Sequence, residues 1–365
     1  RDSKMMKAIL KKAKKAGEIG NDCIVCHGGN PKASDKKEAH SGTVEYFEEN
    51  EGPHDFYPYP SSPWINENTC GMCHKKQISS QWTNLMATEA GKIHGALWGF
   101  GAKDGYKHNH SNFGSEDIHK RIGTQTYQDY MKSLSKKEPQ AFVKKPLELP
   151  PAPTADEIEK DPTLSVYTYL RQECLRCHTG GKGRKRRGDY RGIGCASCHI
   201  PYSNEGLYEG DDKSIDKNAT GHMLVHSIQS SRKSKVKVND KVYSGIPVET
   251  CTTCHNRGKR IGVSYQGLME SEYKANFDSK GNPQPKLHTK RYLHLQEDIH
   301  YKKGMLCQDC HTSIDHHGDG FNVGANLGAV EIECQDCHGT TDKYPWELPL
   351  GYSDEFAKKP KTGKA

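Results

Sequence analysis

Every cysteine of this chain falls in one pattern, Cys-x-x-Cys-His. The seven copies are Cys23-Cys26-His27, Cys70-Cys73-His74, Cys174-Cys177-His178, Cys195-Cys198-His199, Cys251-Cys254-His255, Cys307-Cys310-His311 and Cys334-Cys337-His338, and no cysteine is left over. Fourteen Cys and twenty His scattered over 365 positions would give about 0.03 copies. The spacing explains itself chemically. On a helical turn, residues i, i+3 and i+4 lie on one side, so two sulfurs and an imidazole meet the same flat body. Two thioether bonds to the vinyl groups of one porphyrin, with the following His on its iron, is the chemistry this spacing serves. A zinc ribbon takes Cys pairs in twos, which seven pairs do not supply, and has no use for a His after each. A disulfide framework has no use for that His either. The expected cofactors are therefore seven haems c.

Each iron has a sixth position. Imidazole there makes a saturated low-spin electron carrier; Met would raise the potential, and an open site would admit ligand chemistry. Thirteen His remain beyond the proximal seven: His40, His54, His94, His108, His110, His119, His222, His226, His288, His294, His300, His316 and His317. The supply covers all-bis-His ligation without Met. Several lie close to motifs: His40 after the first, His294 and His300 before the sixth, His316 and His317 after it. His222 and His226 stand four apart in Gly-His-Met-Leu-Val-His-Ser. The spacing does not say which His serves which iron.

The elements that must position these residues are expected to be slight. Hydrophobic residues make up 33% of the chain, charged residues 27%, and mean hydropathy is −0.90. That is too polar for a conventional aliphatic core of this size. One haem for about every 52 residues supplies the missing apolar bulk. The expected fold is mostly coil with short α-helices and little β-structure, wrapped around a stacked chain of haems. The formal charge of +7 is offset by the haems, each with two propionates, which bring about −7 when oxidised. The basic excess then reads as propionate compensation rather than a nucleic-acid footprint, and the run Lys182 to Arg187 as a solvated or propionate-facing loop, with a docking surface as the alternative. No apolar run approaches the ~18 residues of a membrane-spanning helix. Haem c is attached outside the cytoplasm, so the chain is read as exported, with its signal peptide removed.

Successive motifs start 47, 104, 21, 56, 56 and 27 residues apart. The longest gap contains Pro139, Pro146, Pro150, Pro151, Pro153 and Pro162, and a division is expected there. It separates a two-haem region, 1–150, from a five-haem region with a basic tail, 151–365. Local signals predict a basic helix over 3–16, a capping box at Thr154 and Glu157, and a helix entered at Asp161-Pro162 that runs into the third motif. Val236, Val238 and Val242 alternate as in short strands, near 235–243.

The segments CIVCHGGNPKASDKKEAHSG, GCASCHIPYSNEGLYEGDD, CTTCHNRGKRIGVSYQG, DIHYKKGMLCQDCHTSIDHHGDG and YPWELPLGYSDEF resemble those of large extracellular and periplasmic multihaem c-type cytochromes of metal-respiring bacteria and archaea. The chain is more distantly similar to octahaem tetrathionate reductase and hydroxylamine-oxidoreductase-like proteins. The resemblance implies distal ligands at His40, His226, His294, His300 and His317, with His222 as a sixth. His54, His94, His119 and His316 compete for the seventh place. In nanowire-forming relatives a distal His can also come from the next subunit. The octahaem enzymes carry eight haems, and the nitrite and tetrathionate reductases hold their active haem with Lys; this chain has seven motifs and no Cys-x-x-Cys-Lys. The expected function is an electron conduit of seven bis-His haems for extracellular electron transfer, at the cell surface or in the periplasm. Its partners would be redox proteins, extracellular acceptors or further copies of itself in a filament, with no nucleic acid. The alternative is a reductase of a small nitrogen or sulfur oxyanion with one open haem site. No P-loop or dinucleotide-binding glycine motif is present.

Overall fold

The computed structural model describes residues 4–15, 23–45, 48–102, 110–112, 122–143, 145–200, 202–207, 216, 218, 220, 232–238, 241–257, 262–272, 276–324 and 332–347. As expected, the described chain is mostly coil carrying short helices and two-stranded sheets. Among the described residues, the longest helix has 13 residues. Among the described residues, no helix is long and apolar enough to cross a membrane. The chain forms two compact units that alternate along the sequence. The first takes residues 1–73 and 179–307, the second 74–178 and 308–365.

The first unit opens with the basic helix Lys4–Lys15, where the sequence placed it. It also contains the antiparallel hairpin of Arg232–Val238 and Lys241–Gly245, in which Val238 pairs with Lys241 and Lys237 with Val242. A second antiparallel pair joins Leu268–Ser271 to Arg291–His294. Apolar packing here is local and thin. Val263, Leu287 and Tyr292 form one cluster; Ala196, Ile200 and Tyr202 form another around the fourth motif.

The second unit is built around helices. Thr154 caps Ala155–Lys160 in the expected capping box with Glu157. Asp161 accepts from the Thr163 N–H, and Pro162 begins the next turn. From there the chain runs through Ser165–Tyr169, a π-turn at Leu170–Cys174 and a 3₁₀ turn at Leu175–Cys177. Val166, Leu170 and Cys174 fall on one stripe and bury against Ile93, Leu97 and Leu149. The third motif is thereby fastened to the largest cluster of the unit. The helix Gln125–Lys137 starts at Thr124, whose side chain accepts from the Tyr127 N–H at 3.2 Å. Its stripe of Tyr127, Met131 and Leu134 packs on Phe321, Phe142 and Ile314.

Tyr127 also donates a 2.6 Å hydrogen bond to the buried Asp319 carboxylate, which accepts a second from the Phe321 N–H at 2.8 Å. Removing the hydroxyl takes a charge-assisted partner from a buried carboxylate. Tyr127→Phe should therefore cost about 1.5–3 kcal/mol. Guanidinium unfolding of the two proteins side by side reads this directly, and an unchanged midpoint would contradict it.

Candidate haem sites

Each of the seven motifs begins on or beside a single helical turn. Four turns are α-helical: Ile24–His27, Ala196–His199, Val248–Thr252 and Cys334–His338. Three are 3₁₀: Cys70–Met72, Leu175–Cys177 and Cys307–Asp309. In three motifs a backbone bond from the His N–H to the carbonyl of the first Cys closes the turn: His27 to Cys23 (2.8 Å), His199 to Cys195 (2.9 Å) and His255 to Cys251 (2.9 Å). That bond places the two sulfurs and the imidazole of one motif on one side of the backbone. None of the fourteen cysteines is in a disulfide. Among the described residues, no three or more His, Cys, Asp or Glu side chains converge as a metal cluster would require. Two thiols and one imidazole per turn fit thioether attachment with a single axial imidazole. The residues that would hold each haem are the two Cys and the His of its motif. The group itself would supply one-electron exchange at iron.

Several imidazoles are held by Nδ1, the arrangement that presents Nε2 to a metal and fixes the ring's orientation. The proximal His27 donates from Nδ1 to the Tyr57 carbonyl at 2.8 Å. The proximal His311 donates to the Asp315 carboxylate at 2.6 Å, four residues further along the chain. Among the distal candidates, His300 donates to Asp298 at 2.9 Å. Asp298 also accepts the His300 backbone N–H, and these bonds hold its carboxyl below the usual carboxylate range. His317 donates to the Ser313 carbonyl at 2.8 Å and His316 to the Thr312 carbonyl at 2.9 Å. Burial pushes the His316 imidazole pKa down, which favours the neutral form a metal binds. The short helix Ser313–His317 is itself fixed: Ser80 Oγ donates to the His317 carbonyl at 2.8 Å and Asn84 Nδ2 to the His316 carbonyl at 3.1 Å.

The remaining candidates differ in surroundings. His40 is half-buried and stacks on Phe56 at 4.0 Å between ring centroids. His294 ends the strand Arg291–His294 and is half-buried. His54 is exposed, whereas His94 and His110 are buried. His222, His226, His108 and His119 lie outside the described residues.

His288 is one of the thirteen further His but is not among the distal ligands that the resemblance implies. Its side chain is 1% exposed and donates from Nδ1 to Asp189 at 2.9 Å. Its Nε2 is enclosed without a hydrogen-bond partner, and its ring meets Tyr292 edge-on at 6.4 Å. The pairing joins residues 99 apart, and nothing in the local pattern marks it. The Asp315 partner of His311 was more accessible to reading, since i and i+4 on one turn are neighbours.

Thiols of different motifs also meet. Cys70 and Cys195 lie within hydrogen-bond reach of one another, as do Cys251 and Cys307. The bond to Cys195 draws the Cys70 thiol pKa down to about 7; the same bond and burial push Cys195 up. Cys251 is raised likewise, by the bond to Cys307 and then by burial.

Residues 170–347, which contain five of the seven motifs, match the family described as outer membrane cytochrome MtrC/MtrF-like, domains II/IV. Residues 124–200 match the family of cytochrome c554 and c-prime. No curated protein and no solved structure matches the chain. Both matched families are cytochromes, and each match spans attachment turns whose thiols and imidazoles are arranged for covalent haem. The chain is a multihaem c-type cytochrome of the metal-respiring kind, an electron-transfer protein rather than an enzyme.

Proposed function

We propose that the chain carries seven haems c, all bis-His ligated, as a conduit for extracellular electron transfer and as the subunit of a polymeric filament. The observation that carries this reading is the repeated attachment turn, seven times over with every cysteine used. The distal ligands on this reading are His40, His222, His226, His294, His300 and His317. The seventh comes from His54, His94, His119 or His316, or from a neighbouring copy. Saturated irons exchange electrons without binding substrate, so the protein's work is to hold the haems close and to tune each potential. Entry and exit of electrons need redox partners, and a filament needs a head-to-tail interface that does not close on itself.

The test of assembly is cryo-electron microscopy of the purified holoprotein. Filaments with haems continuous across subunits are the expected result; discrete particles would overturn the filament. The test of ligation is His300→Ala. Its Nδ1 is held by Asp298, so the substitution removes a pre-set imidazole and should turn one of seven haems from low to high spin, read by electron paramagnetic resonance. A fully low-spin spectrum would remove His300 from the ligand set.

A further inference from the structure

The order of the motifs along the chain differs from the order in which the fold sets them side by side. In the first unit, the segment 61–71 is clamped to residues 193–195. Ser61 Oγ donates to the Ile193 carbonyl at 2.7 Å, and the Cys195 N–H donates to the Ser61 carbonyl at 3.1 Å. Asn66 Nδ2 reaches the Cys195 sulfur at 3.6 Å, while the Asn66 carbonyl accepts from the Gly71 N–H, inside the second motif, at 2.7 Å. Gly194 makes the approach possible: a Cβ there would lie 1.8 Å from the Ser61 carbonyl oxygen. The first sulfur of motif two consequently touches the first sulfur of motif four.

A second contact continues from motif four. Its turn Ala196–His199 packs against Val248–Thr252, the turn of motif five. A third contact joins Cys251 to Cys307, the first sulfur of motif six. It is braced by Tyr265, whose hydroxyl donates to the Met305 carbonyl at 3.0 Å, two residues before Cys307.

We infer that motifs two, four, five and six form one row, so that the haems they carry are consecutive neighbours in that order. A thioether sulfur is bonded directly to the vinyl-derived carbon at the porphyrin edge. Sulfurs in contact therefore make neighbours of the cofactor edges they anchor. The row skips motif three, which lies between motifs two and four in the sequence. An electron following the row does not follow the sequence. The inference rests on the reading that each motif carries a haem.

Two measurements on one holoprotein sample test it. Intact-mass spectrometry counts the haems per chain, and cryo-electron microscopy gives the iron positions. Seven haems are expected, with irons two and five nearest to iron four, and irons four and six nearest to iron five. A count below seven overturns the attachment reading and the row with it. Seven haems with iron one, three or seven nearest to iron four or five overturns the row alone.

Discussion

Gly194→Ala should destabilise the holoprotein by about 4 kcal/mol or more, at the upper end for a single substitution. Two independent costs meet at this residue. Its φ of +59° lies in the left-handed region, where a Cβ costs roughly 1–2 kcal/mol. The new Cβ would also press on the Ser61 backbone, 1.8 Å from the oxygen and 2.8 Å from the carbon. Backbone cannot swing aside as a flexible side chain would, so the approach of 61–66 to motif four must open. Gly95 supplies the control. It lies in the helix Ala90–Gly99, with nothing within 4 Å of its would-be Cβ. Gly95→Ala should stabilise by about 0.5–1 kcal/mol through the ordinary helix preference. Guanidinium midpoints followed by far-ultraviolet circular dichroism compare the three proteins. Equal midpoints for Gly194→Ala and the parent would mean that the clamp is not formed.

Replacing Cys307 and Cys310 together by Ala should release one haem and about one-seventh of the Soret absorbance. The two sulfurs are the only covalent hold of that motif. His311 keeps its Asp315 anchor in the variant, so an imidazole remains to bind haem reversibly. The decisive readout is therefore mass under denaturing conditions, where only thioether-bound haem is retained. An unchanged haem mass would refute attachment at the sixth motif. Loss of more than one haem would show that the Cys251–Cys307 contact also secures its neighbour.

The features legible in the sequence were those confined to one turn. The Cys-x-x-Cys-His spacing, the Thr154–Glu157 box and the Asp161-Pro162 start each put their chemistry within three or four residues, and the structure forms each locally. The basic helix Lys4–Lys15 and the hairpin Arg232–Val238 with Lys241–Gly245 are local in the same sense. What escaped depends on packing between distant segments. The His288–Asp189 pair joins residues 99 apart, and Asn66 finds the Cys195 sulfur across 129. No spacing rule reaches so far, and a chain with so few apolar residues offers little periodicity to show which segments meet. The helix Gln125–Lys137 escaped for a milder form of the same reason: only Tyr127, Met131 and Leu134 mark its buried stripe amid polar residues.

The alternation of the two units sets a timetable for maturation. Residues 1–73 belong with 179–307, so a chain made from its N-terminus presents its first two motifs more than a hundred residues before their structural partners exist. The Ser61 and Asn66 contacts span 132 and 129 residues, and contacts of such separation close slowly because the loop entropy is lost before the contact repays it. A haem attached at the second motif before that closure would meet both thiols on an open strand. A Cys70 that is already a thioether when Cys195 docks has no S–H left to bond it. The topology of the chain thus leaves the second motif open until residues 193–195 are in place.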